Sequence, residues 1–181
     1  TAPGLLKYLI KNEHWSPFEM VSLTMSIQTT RDISRQIIRH RSFSYQEFSQ
    51  RYAISDGFES REARKQDPKN RQNSIDIDPN ISEDRRLSES WQMKQVEVLQ
   101  KNREVYEWAL QQGIAKEQAR AVLPEGLTST TLYMAGTLRS WIHYCQLRMG
   151  NGTQKEHQKI AELCWDIVGT HFPSVIKAYE D

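Results

Sequence analysis

Apolar Val21, Leu23, Met25 and Ile27 alternate with polar neighbours through Thr29, the period of two expected of a half-buried strand. Ahead of it, Leu5, Leu6, Tyr8, Leu9 and Ile10 cluster at helical spacing, and Asn12 to Pro17 interrupts them. After it, Thr30 can cap a helix carrying Asp32 in its first turn, with Ile33, Ile37 and Ile38 as the buried side. On that helix Gln36, Arg39 and His40 lie three or four residues apart and so share one face. Residues 55–80 have few apolar anchors and read as a long polar loop. Ser82 then opens a long helix with Leu87, Trp91, Val98, Leu99, Val105 and Ala109 as its apolar positions, and Gly113 stops it. A second helix over 115–123 ends at Pro124, 128–137 favours a strand, and 138–149 reads as a helix broken by Gly150-Asn151-Gly152. Thr153 to Glu156 forms a capping box for a last helix with Ile160, Leu163, Cys164, Ile167 and Val168 inside. The sum is a helix-rich α+β chain with a small antiparallel sheet, and 181 residues suit a single domain.

Charge changes the picture by exclusion. Lys plus Arg number 24 against 23 Asp plus Glu, so a formal charge of +1 gives no general pull on nucleic acid, and any anion site must be local. No apolar stretch approaches the ~20 residues needed to span a bilayer, and no secretory pattern opens the chain. Cys145 and Cys164 are too far apart for a CxxC motif and read as core thiols in a reducing, cytoplasmic setting. The five histidines form no HxxxH or HExxH pattern, so a metal has little support, and His157 and His171 read as surface or cap groups. The chain begins at Thr1 and enters a helical pattern at once, which suggests that residues precede it.

The candidate chemistry is concentrated in residues 39–52, where Arg39, His40, Arg41 and Arg51 gather with Glu47 among hydroxyl side chains. Arginine keeps its charge and presents paired planar donors, so this run suits a phosphate better than lysines would. Three solvated surface arginines are the plain alternative, but Gln36, Glu47, Ser49 and Tyr52 add polar groups beside them and shift the balance toward a bound nucleotide. Ser49 has no His and Asp at a spacing that would make it a nucleophile. Cys145 reads as packing, because nothing near it in sequence would lower its pKa.

The run also resembles the signature of the flavin-dependent thymidylate synthases, the ThyX family: Arg-His-Arg, two free positions, Ser, one free, Asn or Gln, Glu, one free, Ser, one free, Arg-Tyr. Arg39, His40, Arg41, Ser44, Gln46, Glu47, Ser49, Arg51 and Tyr52 fill every specified position. His14 to Glu19, Arg120 to Pro124 and Leu147-Arg148 resemble three further family segments, and 136–156 is worded most like viral and phage members. The resemblance implies reductive methylation of deoxyuridylate (dUMP) to dTMP, with FAD as hydride relay and NADPH and methylenetetrahydrofolate as co-substrates. It implies that Gln36, Arg39, Glu47, Ser49, Gln50, Arg51, Arg120 and Arg148 bind dUMP, with Arg148 the catalytic cation that activates the pyrimidine. It implies that His14, Ser16, Glu19, Arg39, His40, Arg41, Glu47, Arg139 and His143 hold FAD, Arg39 touching both ligands. It further implies a cytoplasmic homotetramer, in the host cytosol if viral, whose sites are shared between chains. That sharing would explain why no Gly-rich dinucleotide loop is present.

Three positions depart from the family pattern: many members carry Asn where Thr137 and His143 stand, and His where Gly152 stands. Arg61, Arg64, Lys65, Lys69 and Arg71 in the 55–80 loop could screen the nucleotide or the folate glutamates, or could simply be solvated. Two other readings stay open at this point: a phosphate- or RNA-binding module without catalysis, and a family member that binds flavin but has lost activity. The neutral charge and the lack of an aromatic stacking stripe count against the first.

Overall fold

A computed structural model describes residues 2–55, 57–150 and 152–180, without the side chains of Ala2 and Glu180. In chain order the elements are α1 (Ala2–Lys11), a 3-10 turn (Ser16–Met20), β1 (Ser22–Thr30), α2 (Arg31–Ile37), β2 (Ser44–Glu47), β3 (Arg64–Gln66), β4 (Ser74–Asp76) and α3 (Ser82–Gln111). Then come α4 (Lys116–Ala119), a 3-10 turn (Arg120–Val122), β5 (Ser129–Thr137), α5 (Leu138–Arg148), α6 (Lys155–His171) and α7 (Pro173–Glu180). The class is the α+β expected. One sheet has the order β1-β5-β2 and a second pairs β3 with β4. Leu138 N–H bonds Val21 O and Arg31 N–H bonds Thr128 O, at opposite ends of β1 and β5, so these two strands run antiparallel.

The backbone divides into two compact units. The first comprises Thr1–Ile27, Ile37–Gln46 and Tyr133–Asp181. Its core is Trp141, Ile142, Tyr144, Cys145, Ala161 and Val168, all essentially sealed from solvent, with Met25, Ile27 and Met134 from the strands. The period-two reading of β1 is what points Met25 and Ile27 inward. Phe43 packs edge-on against Trp141 at 4.9 Å and Tyr144 at 5.9 Å. Gly136 is required beside them, because a Cβ there would overlap the Phe43 ring. A short helix missed in the sequence, α7, packs against α1 and α6.

The second unit comprises Gln28–Gln36 and Glu47–Leu132. Ile33 and Leu132 are fully buried in it, and Tyr106, Ala109 and Ala119 form a cluster closed by Leu110 and Leu123. Helix α3, at 30 residues about 45 Å long, ends where Gly113 takes a left-handed φ of 76°.

Several expectations are corrected. α2 stops at Ile37, so Arg39 and His40 do not share its face with Gln36, and Ile38 is exposed. The 55–80 stretch contains an antiparallel hairpin pairing Arg64 with Asp76 and Gln66 with Ser74; the Asp67 carboxylate organises its turn by accepting from the Lys69 and Asn70 N–H groups and the Asn73 amide. On α3, Leu87, Trp91 and Val98 face solvent while Asp84 and Gln95 are buried; Gln95 is satisfied by the backbone N–H and carbonyl of Arg61. The capping box does not form: α6 begins at Lys155 with Gln154 as N-cap and no side-chain cap. Leu163 and Ile167 lie on its exposed side, whereas His157, read as a surface group, is fully buried. Among the described residues no helix is long and apolar enough to cross a membrane, and no cluster of acidic, Cys or His side chains could hold a metal.

Candidate functional site

In the first unit Arg148 stands at the C-terminal end of α5. Its Nε donates to His40 Nε2 at 2.8 Å. That bond requires a neutral imidazole with its proton on Nδ1. Burial, with the Arg148 and Arg39 cations adding to it, holds His40 neutral by lowering its pKa to about 4. The two terminal nitrogens of Arg148 have no hydrogen-bond partner among the described residues, and neither does any carboxylate pair with it.

The turn carrying His40 is fixed from behind. The Tyr45 hydroxyl donates to the carbonyls of His40 at 2.7 Å and Ile37 at 3.0 Å, and burial raises its pKa to about 12. The His40 ring meets Tyr144 edge-on at 4.9 Å, and the Tyr144 hydroxyl lies 3.1 Å from Nε2 of His157. Arg39 and Arg41 project into solvent without a carboxylate partner among the described residues.

The early segment lies in the same unit. Glu19, in the 3-10 turn opened by Ser16, forms an ion pair with Arg139 on α5. Trp15 meets the His143 ring at 4.5 Å, and burial with the nearby Arg139 cation lowers the pKa of His143. His14 is exposed, its ring 5.9 Å from Tyr8. Two of the family departures have local causes. Thr137 is the N-cap of α5, its Oγ1 accepting from Ser140 N–H at 3.3 Å, and Gly152 has a φ of 91°, where a side chain is strained.

This unit fits a flavin dinucleotide by the chemistry of its donors. Unpaired Arg39 and Arg41 guanidiniums can meet phosphates, while Trp15, His143 and the Glu19–Arg139 pair offer aromatic and hydrogen-bonding surface.

In the second unit Glu47 is the centre. Its Oε1 accepts from Ser34 Oγ at 2.9 Å and Thr130 Oγ1 at 3.1 Å, and the Arg31 guanidinium stands 3.6 Å away. Arg31 Nη1 is buried with no hydrogen bond among the described residues. These donors hold one carboxylate oxygen and leave Oε2 for another group. Ser49 is half-buried and its Oγ accepts locally from the Arg51 N–H. Gln50 is buried, and its amide donates to Ser55 Oγ at 2.8 Å, so it braces the turn. Arg51 places Nε and Nη2 on one oxygen of Glu117 at 3.1 and 3.0 Å, and Arg120 Nε donates to the Glu117 carbonyl at 3.3 Å. Arg51 and Arg120 are therefore both held at Glu117, on α4. Gln36 is half-buried at the end of α2.

The sequence reading missed Arg31, Ser34 and Thr130 around Glu47, and Tyr144 and His157 behind His40. Nothing in the local pattern could reveal Thr130, which is 83 positions from Glu47. Cys145 and Cys164 are buried free thiols, as expected; burial pushes Cys164 up to about 12 and Cys145 further still, so neither presents a thiolate.

The family model described as "Thymidylate synthase complementing protein" matches residues 1–174. A probable flavin-dependent thymidylate synthase of Paramecium bursaria Chlorella virus 1 is 49% identical over 181 residues, covering 99% of this chain and 81% of its own. A flavin-dependent thymidylate synthase of Synechocystis sp. is 49% identical over 176 residues, 97% of this chain and 79% of its own. Among solved structures, the UMP/dUMP methylase PolB of Streptomyces cacaoi bound with 5-Br dUMP superposes with a TM-score of 0.84 at 26% identity, over 98% of this chain and 80% of that one.

Proposed function

The chain belongs to the flavin-dependent thymidylate synthase family, and from that membership we propose that Arg148 is the cation that activates the uracil ring of the substrate. The activity is dTMP synthesis by an enzyme that uses FAD, with dUMP and a folate as substrates. When bound, FAD supplies a hydride relay from NADPH, the part of the reaction that no side chain can provide. The chain's own task is to make C5 of a poorly nucleophilic ring attack a carbon. Either a thiolate adds at C6, or negative charge at the N3/O2 edge is stabilised. Both cysteines are sealed and held as thiols, which supports the second route.

The observation that carries the proposal is the Arg148 guanidinium held through Nε by neutral His40, with both terminal nitrogens uncommitted. A cation fixed in advance costs no reorganisation as charge develops. Arg51, Arg120 and Ser49 would take the nucleotide phosphate, Arg51 exchanging Glu117 for it. Gln36 and the Oε2 of Glu47 would reach the rest of dUMP, and Gln50 would brace the turn that presents Ser49. Arg39, His40, Arg41, His14, Ser16, Glu19, Arg139, His143 and Glu47 would hold FAD, Arg39 serving both ligands.

The working form we propose is a cytoplasmic homotetramer whose flavin and nucleotide sites draw on more than one chain, with residues 1–181 acting as one functional domain. Supporting the assembly, α3 turns large apolar side chains to solvent, with Trp91 43% and Trp108 55% exposed. Solution mass should be about four times the 21.2 kDa of the chain; an active monomer would refute shared sites.

Arg148→Ala tests the central assignment. Flavin binding should persist while turnover falls on the order of a hundredfold to a thousandfold. Turnover near that of the parent enzyme would remove Arg148 from the chemistry.

A further inference from the structure

We propose that His157 is a positioning residue for Arg148, acting through Tyr144 and His40; this rests on Arg148 being the activating cation. The four side chains form one continuous contact within the first unit. Arg148 Nε donates to His40 Nε2 at 2.8 Å, the His40 ring stands on Tyr144 with centroids 4.9 Å apart and planes at 83°, and the Tyr144 hydroxyl meets His157 Nε2 at 3.1 Å. Tyr144 and Arg148 are one turn apart on α5 and so share a face.

His40 needs this support because it lies beyond the end of α2, and no helix fixes its side chain. Tyr45 fixes only its carbonyl. The ring orientation, and with it the lone pair that Arg148 uses, is set by Tyr144. Tyr144 is 1% exposed, so its hydroxyl has no water to fall back on and takes its direction from His157.

His157 is itself an expensive choice for that position. It is fully buried, and its Nδ1 has no hydrogen-bond partner among the described residues. A buried imidazole making one hydrogen bond is less stabilising than a well-packed leucine or phenylalanine. Packing alone therefore does not account for histidine here, whereas the hydrogen bond that orients Tyr144 does. Removing it would leave the Tyr144 hydroxyl unpaired in the core, release the His40 ring and let the Arg148 guanidinium turn from its fixed plane. Since a cation aimed at developing charge acts in the transition state, the loss belongs in kcat and not in substrate binding.

The test compares His157→Leu with His157→Gln in the FAD-loaded protein, measuring kcat, KM for dUMP and flavin content. Gln can keep a hydrogen-bonding partner for the Tyr144 hydroxyl, as donor or acceptor. His157→Leu should lower kcat roughly tenfold to a hundredfold, with KM changed by less than about threefold and flavin retained, while His157→Gln stays within about threefold of the parent. Equal losses in both variants, or a loss that tracks lost flavin, would overturn the proposal. If His157→Leu does not fold, Tyr144→Phe decides, since it keeps the ring and removes only the hydroxyl. It should show the same fall in kcat, and normal turnover would overturn the chain of contacts. Arg148→Ala is measured alongside. A working Arg148→Ala enzyme refutes the assignment beneath this inference, whereas an inactive one beside a fully active His157→Leu enzyme refutes the inference alone.

Discussion

Acidification from pH 7 to pH 5 should destabilise this protein, and His157 should account for about 2 kcal/mol of the loss. Its pKa is lowered from an ordinary 6.5 to about 4, first by burial and then by the Arg148 cation and His40. The unfolded chain takes up this proton near pH 6.5 and the folded one only near pH 4, so the stability is present above 6.5 and is lost as pH falls toward 4. One pKa unit corresponds to about 1.4 kcal/mol, so the full shift amounts to roughly 3 kcal/mol, of which about 2 is lost by pH 5. His40 shifts in the same direction but is partly open to solvent, and its share is smaller. The assay is urea unfolding at pH 7 and pH 5 of the parent protein and His157→Gln, whose side chain does not titrate there. Carboxylates common to both cancel in the difference. The parent should lose about 2 kcal/mol more than the variant, a gap of roughly 4–8 °C in Tm at pH 5 beyond that at pH 7. Equal losses would mean that His157 is not buried and neutral in the folded protein.

Gly136→Ala should cost about 1–3 kcal/mol, read by the same unfolding assay, because the added methyl meets a Phe43 ring already packed against Trp141 and Tyr144; an unchanged midpoint would contradict that packing. Arg51→Lys should weaken dUMP binding roughly tenfold in calorimetry by losing the paired donors, and unaltered affinity would take Arg51 out of the phosphate site. Trp108→Glu, on the exposed face of α3, should shift the sedimenting species to lower mass without loss of helicity, and an intact tetramer would clear that face of any role in assembly.

The parts of the fold legible in the sequence are those whose signal is local. β1 could be drawn from Val21 to Thr29 because pleating alternates side chains with no reference to a partner. The end of α2 could not, because Ile37-Ile38-Arg39 continues a helical pattern; what turns the chain there is the Tyr45 hydroxyl, eight residues on, taking the Ile37 carbonyl. His157 looked like a surface residue because histidine usually is one, and only the Tyr144 hydroxyl makes its burial tolerable. Gln95 is buried on α3 for the same reason, its partner being the backbone of Arg61. The apolar positions of α3 were legible as apolar, but their spacing could not say that Leu87, Trp91 and Val98 face solvent while Ala109 is buried. The site divides similarly. Arg39, His40, Arg41, Glu47, Ser49 and Arg51 were legible because they are nearly consecutive, whereas Arg31, Ser34 and Thr130 are joined to Glu47 only by folding.

Tritium release from dUMP labelled at C5 bears most directly on the function, assayed with methylenetetrahydrofolate, FAD and NADPH and with each omitted in turn. Release should require all three and should all but disappear in Arg148→Ala while that variant still holds its flavin. Undiminished release without flavin, or no release from a flavin-loaded protein given every substrate, would contradict the assignment.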